Sequence, residues 1–235
     1  MTVDELLQEL ERLGSESTVK TFRRHGANGK LYGVKVGDLK KLVKYVKGNH
    51  DLALQLWDTD VSDAMYLASL AANGKEFTRK QLDHWAKTAW WYMLSEYAVP
   101  FVAAEHPDAC ILARKWIRAK ATNVASSGWS TYTAAISIRP DDELDLDEIR
   151  SLLALVEDGI DKAAGRVRYC MNGFVIGVGS YVKPLLGEAK ATAKALGTVH
   201  VDMGETDCRV PVATDTIKKI ESMKRVGKKR KTAKC

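Results

Sequence analysis

Apolar residues recur at three- and four-residue steps along most of the chain, the period of helices lying with one side against a core. Leu6, Leu7, Leu10 and Leu13 set the pattern at the start, and Leu39, Leu42, Val43 and Val46 repeat it. Between 61 and 72, Ala64, Leu67, Ala68 and Ala71 share one helical face. The same reading predicts helices near 78–88, 91–105, 107–119, 129–138, 145–158, 164–182, 184–196 and 210–223. Turn chemistry breaks them at Gly26-Ala27-Asn28-Gly29, Asn73-Gly74, His106-Pro107, Ser126-Ser127-Gly128 and Arg139-Pro140. Thr78 and Asp145 stand where N-caps belong. Only 198–202, Thr-Val-His-Val-Asp, reads as extended, and it is too short and isolated to suggest a sheet.

About a dozen helices joined by loops of roughly two to eight residues make an all-α domain. Trp57, Trp85 and Trp116 fall near helix ends at intervals of roughly thirty residues. A degenerate period of that length predicts an α-α superhelix, a solenoid of HEAT/ARM-like helix pairs; a compact non-repeating bundle is the alternative. The repeats occupy 1–226 as a single domain, and 227–235 forms a basic C-terminal tail.

At 46% hydrophobic and 28% charged residues, the chain has the makeup of a folded protein rather than a disordered one. No apolar run reaches the roughly 18 to 20 residues of a membrane helix. The opening MTVDELLQELERLG is acidic and amphipathic, unlike a signal peptide, so a cytoplasmic protein with no membrane partner is expected; separately, a monomer is expected. Cys110, Cys170, Cys208 and Cys235 form no CxxC pair, which argues against a zinc site and a disulfide framework; no metal and no cofactor are expected. Cys110 and Cys170 lie in apolar surroundings and read as small core residues, whereas Cys235 is the candidate reactive thiol. The net charge of +6 is concentrated: residues 218–235 hold nine Lys or Arg against Glu221, leaving the rest slightly acidic. A basic end attracts polyanions, or is simply solvated.

Several segments resemble the DNA alkylation repair proteins, the helical-repeat DNA glycosylases. Leu31-Tyr32-Gly33-Val34 with Leu39-Lys40-Lys41-Leu42, and Leu54-Gln55-Leu56-Trp57 followed by Asp63, are similar to that family's early repeats. Lys87-Thr88-Ala89-Trp90-Trp91 through Val99-Pro100 resembles the segment holding its catalytic cleft. Met171-Asn172-Gly173-Phe174-Val175-Ile176 and Lys228-Lys229-Arg230-Lys231 resemble one subgroup. The matches keep their order over most of 22–235. The resemblance implies a C-shaped stack with a positively charged concave face that holds duplex DNA. It also implies release of 3-methyladenine and 7-methylguanine without a deep base pocket.

An alkylated purine leaves as its sugar gains oxocarbenium character, so the chemistry requires a carboxylate and aromatic faces near the sugar. Trp90 and Trp91 match the family's paired tryptophans. The family's aspartate lies four residues after the second Trp and four before the Pro; here that interval is one residue longer. Counting forward gives Ser95 and counting back gives Glu96, so Glu96, with Trp90 and Trp91, is the catalytic candidate. The family's cleft arginine maps near Tyr132 or Thr133, after Trp129, and a second cleft tryptophan maps onto Phe174.

Phosphate contacts are expected from Lys40 and Lys44 within the cluster Lys35 to Lys47, and from Lys120 beside Arg114, Lys115 and Arg118. Arg166, Arg168, Lys183, Lys228, Lys229, Arg230 and Lys231 extend the set, with Trp129, Tyr132 and Phe174 beside the DNA. The acidic stretch Asp141 to Glu148 should lie away from it. The expected function is binding of damaged duplex DNA, with alkylpurine excision open because the Asp and Arg are replaced. The alternatives are a non-catalytic member that binds branched or distorted DNA, and a protein scaffold with a basic tail.

Overall fold

A computed structural model describes residues 1–234 of the protein; Cys235, and with it the reactive-thiol expectation, lies outside them. Among the described residues there are thirteen α-helices and no strand, with one isolated bridge between Lys30 and Val61. Among the described residues no helix is long and apolar enough to cross a membrane. The chain opens with α1 (Val3–Leu13), α2 (Glu16–Arg24) and α3 (Val36–Val46). From there the helices alternate between two layers. The first holds α4 (His50–Asp58), α6 (Arg79–Thr88), α8 (Ala109–Ile117), α10 (Leu146–Gly159) and α12 (Leu186–Leu196). The second holds α5 (Ser62–Ala71), α7 (Val99–Ala103), α9 (Thr122–Ile138), α11 (Gly165–Tyr181) and α13 (Ala213–Ser222), each packed on the next.

The period expected from the tryptophans is visible as contacts between successive repeats. Trp57 and Trp85 stack at 4.0 Å, and the Trp116 indole donates to Asp83 at 2.7 Å. Along the first layer the Asp58–His84 hydrogen bond and the ion pairs Asp83–Lys115, Arg114–Glu148 and Arg150–Glu188 join α4 to α6, α8, α10 and α12 in turn. Their partners lie 26, 32, 34 and 38 residues apart, one repeat each time. Exposed contacts of this kind add little to stability. Their role is to fix the register between neighbouring repeats.

The caps are where the sequence puts them. Thr78 forms a complete capping box with Gln81, and the Asp145 carboxylate accepts from the Glu148 amide at 2.9 Å. Asp63, buried at the N-terminal end of α5, accepts from the Tyr32 and Val34 amides, both at 2.7 Å, and so ties down the preceding loop.

Three expectations are corrected. Ser126-Ser127-Gly128 is not a turn: α9 runs through it, because α8 crosses so close that a Cβ on Gly128 would sit 2.5 Å from the Ile117 amide nitrogen. The small residues are there for contact between helices. Residues 61–72 do not show one buried face. All ten residues of α5 are buried, since α1, α3, α4 and α7 surround it. The helix expected over 91–105 is split into a wide turn, Leu94–Ala98, and the short α7.

Nor does the basic C-terminal segment hang free. It runs as a strap across the C-terminal ends of the second layer. The Gly227 amide donates to the Ser180 carbonyl of α11 at 2.9 Å, and the Arg230 amide to Ser137 of α9 at 2.7 Å. Lys229 donates to the Ile136 carbonyl at 2.9 Å and pairs with Asp141 at 2.8 Å. Lys234 reaches the Ala72 carbonyl at the end of α5 and pairs with Glu105 at 3.4 Å. Ala233 is buried among Ala104, Ala109 and Ala135. Ammonium groups at helix C-termini satisfy unpaired carbonyls and oppose the negative end of the helix dipole.

Candidate nucleic-acid interface

The second layer carries a cleft of about 820 Å³ between the Leu94–Ala98 turn, the start of α11, the end of α2 and the loop around 202–209. That turn is π-helical. A π turn holds one more residue than an α turn, so it absorbs the extra residue between Trp91 and Pro100 and leaves the flanking helices in phase. Its geometry separates the two candidate positions. Ser95 is buried, its hydroxyl donating to the Trp91 carbonyl at 3.4 Å. Glu96 meets Arg166 of α11 instead.

That meeting is bidentate. Arg166 donates through Nε to one Glu96 oxygen at 2.7 Å and through Nη2 to the other. The Glu96 side chain is only 3% exposed, and that of Arg166 is 24% exposed. Tyr92 and Tyr169 flank the guanidinium at 4.3 and 4.5 Å. Its Nη1 lies 3.8 Å from the Met203 sulfur. Burial pushes the Glu96 carboxyl above the usual carboxylate range, and the bonds from Arg166 oppose that shift. The carboxylate at the expected catalytic interval is therefore neutralised and enclosed.

The remaining candidates divide between core and surface. Trp91 is core: its indole donates to Ser62 at 2.9 Å and its ring lies 5.5 Å from Phe22. Trp90 is half-buried against Gly29, where a Cβ would lie 2.7 Å from the indole. Trp129, Tyr132 and Phe174 pack together in the core, with ring centroids 5.2 and 5.6 Å apart, and have no face for DNA. Their apolar spacing fits a core as well as it fits a groove. The Tyr132 hydroxyl donates to Glu148 at 2.8 Å.

Arg168 donates to the carbonyls of Ile160, Asp161, Ala163 and His200, fixing two loops, and Arg166 is held by Glu96. Arg114 and Lys115 belong to the ion pairs between repeats. Lys229 is engaged in the strap. Lys40, Lys44, Lys120, Lys183, Lys228, Arg230 and Lys231 are exposed. Cys170 is buried and Cys110 half-buried, and burial pushes both thiols up.

Two sequence candidates, Trp91 and Arg166, line this cleft; sequence reasoning missed Tyr92 and Tyr97 with Arg24 and Arg209. Tyr92 and Tyr97 lie five apart, which a regular α-helix separates by about 140°. Only the π turn brings both into one cleft.

A family model for the DNA alkylation repair enzyme matches residues 6–186. The chain belongs to this DNA alkylation repair enzyme family. Uncharacterized proteins of Listeria innocua and Listeria monocytogenes are each 36% identical over 225 residues, 93% of this chain and 97% of theirs. A solved structure superposes with a TM-score of 0.91 at 34% identity, over the whole of both chains. It is described as representing a new family of proteins related to the HEAT-like repeat DNA glycosylases, with affinity for branched DNA structures. The two-layer stack of this DNA alkylation repair family member is thus the HEAT-like fold. Within it, the arginine expected on α9 is absent, and a guanidinium from α11 lies against the carboxylate of the π turn.

Proposed function

We propose that the protein binds branched or distorted DNA and does not excise alkylated bases. The observation that carries this reading is the closed Glu96–Arg166 pair. Excision of a cationic purine needs a carboxylate whose negative charge is felt at the developing oxocarbenium ion. A bidentate arginine cancels that charge at short range and occupies both oxygens. The exposed lysines at 40, 44, 120, 183, 228 and 231 suit phosphate contacts, which position a duplex without reading its sequence. The affinity for branched DNA of the protein with the similar structure supports the same choice of partner. In this reading the protein acts as a cytoplasmic monomer.

Two measurements test it. Methylated DNA incubated with the protein should release no 3-methyladenine or 7-methylguanine above the spontaneous rate. A three-way junction should bind more tightly than a duplex of equal length at one stated salt concentration. Base release by the wild type that Glu96→Gln abolishes would establish the excision reading instead.

A further inference from the structure

The π turn also sets Tyr97 outward, 36% exposed, on the ridge between two cavities. The larger is the cleft of about 820 Å³; the smaller, of about 250 Å³, lies between the turn, α9 and α11. Tyr97 and Tyr169 line both. Phe101 meets the Tyr97 ring in a T-shaped contact at 6.4 Å and steadies it from α7. An exposed aromatic ring braced at a ridge is a surface on which another flat group can stack.

The lining of the larger cavity decides which group. A phosphate-binding site gathers free cations, but here Arg23, Arg24, His25 and Arg209 share the wall with Asp202 and Glu205, Arg23 donates to the Ala27 carbonyl at 2.8 Å, and Arg166 is neutralised by Glu96. Mixed charge and three tyrosines suit a neutral heteroaromatic ring with donors and acceptors on its edge. The volume falls within the range of small-ligand sites, roughly 300–1,000 Å³. A paired base cannot reach such a site, whereas an unpaired base at a junction can be splayed into it.

We infer that Tyr97 is the platform on which an unpaired base at a DNA branch point stacks, with that base seated in the larger cavity. This inference rests on the branched-DNA reading above and gives it a recognition element. Phosphate contacts alone would hold any duplex; a stacking site favours DNA with a base to spare.

The test uses the full chain and two fluorescently labelled probes: a three-way junction carrying one unpaired 2-aminopurine, and a fully paired duplex of equal length. Binding of the wild type to the junction should change the 2-aminopurine fluorescence. Tyr97→Ala should weaken junction binding about tenfold and leave duplex binding unchanged. Tyr97→Phe, which keeps the ring, should behave as wild type, and unchanged melting of both variants shows that the fold is intact. Equal losses on junction and duplex, or no fluorescence change on wild-type binding, would overturn the inference. A junction preference that survives Tyr97→Ala sinks the stacking site alone. No junction preference in the wild type sinks the branched-DNA reading with it.

Discussion

Arg166 grips the Glu96 carboxylate on both oxygens while Tyr92 and Tyr169 hold its guanidinium, so one side chain fixes two sides of the cleft. Removing it leaves a buried negative charge without a partner, which costs roughly 3–5 kcal/mol. Arg166→Met should therefore lower the unfolding free energy by about that amount in urea titrations. The sign of its pH dependence is fixed as well. Burial already raises the folded-state pKa of Glu96, and loss of the arginine raises it further. A raised carboxyl binds its proton more tightly in the folded state, so stability falls as pH rises through that pKa. The handicap of the variant relative to wild type should be smaller in acid than at neutral pH. Adding Glu96→Gln should recover part of it. Glu96 and Arg166 are each conspicuous in the sequence, but they lie 70 residues apart, and no local pattern joins them. Trp129, Tyr132 and Phe174 misled for a related reason: an aromatic residue at helical spacing has the same signature in a core and in a groove.

Helices were legible wherever local chemistry settles them. The Thr78 and Asp145 caps, the breaks at proline and the period of about thirty residues all depend on neighbours in sequence or on one repeat step. What was not legible depends on the helix across the way. Gly128 looks like a turn residue until α8 is laid against it, and the extra residue before Pro100 leaves two alignments open until the π turn is seen. The contacts between repeats also make a prediction. Burial works to raise the Asp83 carboxyl, but hydrogen bonds from Lys115 and Trp116, with nearby positive charge, hold it below its ordinary value of 3.8. A depressed carboxyl stabilises the fold above that ordinary value, and the contribution disappears as pH falls through the folded-state pKa. Asp83→Asn should accordingly be less stable than wild type at neutral pH, with the difference narrowing below about pH 4. Thermal melts across that range measure it.

At the level of the whole molecule, two apolar clusters, one from Leu6 to Val124 and one from Ala113 to Ile217, meet where α8 crosses α9. The strap spans both. Its charge was plain in the sequence, but its path was not, because the contacts that dock it on the helices are distant along the chain. Deleting 227–235 should cost roughly 2–4 kcal/mol through lost hydrogen bonds and ion pairs, a fall of about 4–16 °C in melting temperature for a chain of this length. Lys228, Arg230 and Lys231 are exposed, so the salt dependence of DNA binding should also become shallower, by at most about 0.9 per lost contact. An unchanged melting temperature would mean that the strap adds nothing to the fold. Stacked repeats touch only their neighbours and ordinarily fray from the terminal unit inward. Here Lys234 is fastened to α5, 162 residues back, and peeling from that end must first undo an anchorage near the opposite one. Heat should then dismantle the array in one concerted step rather than unit by unit.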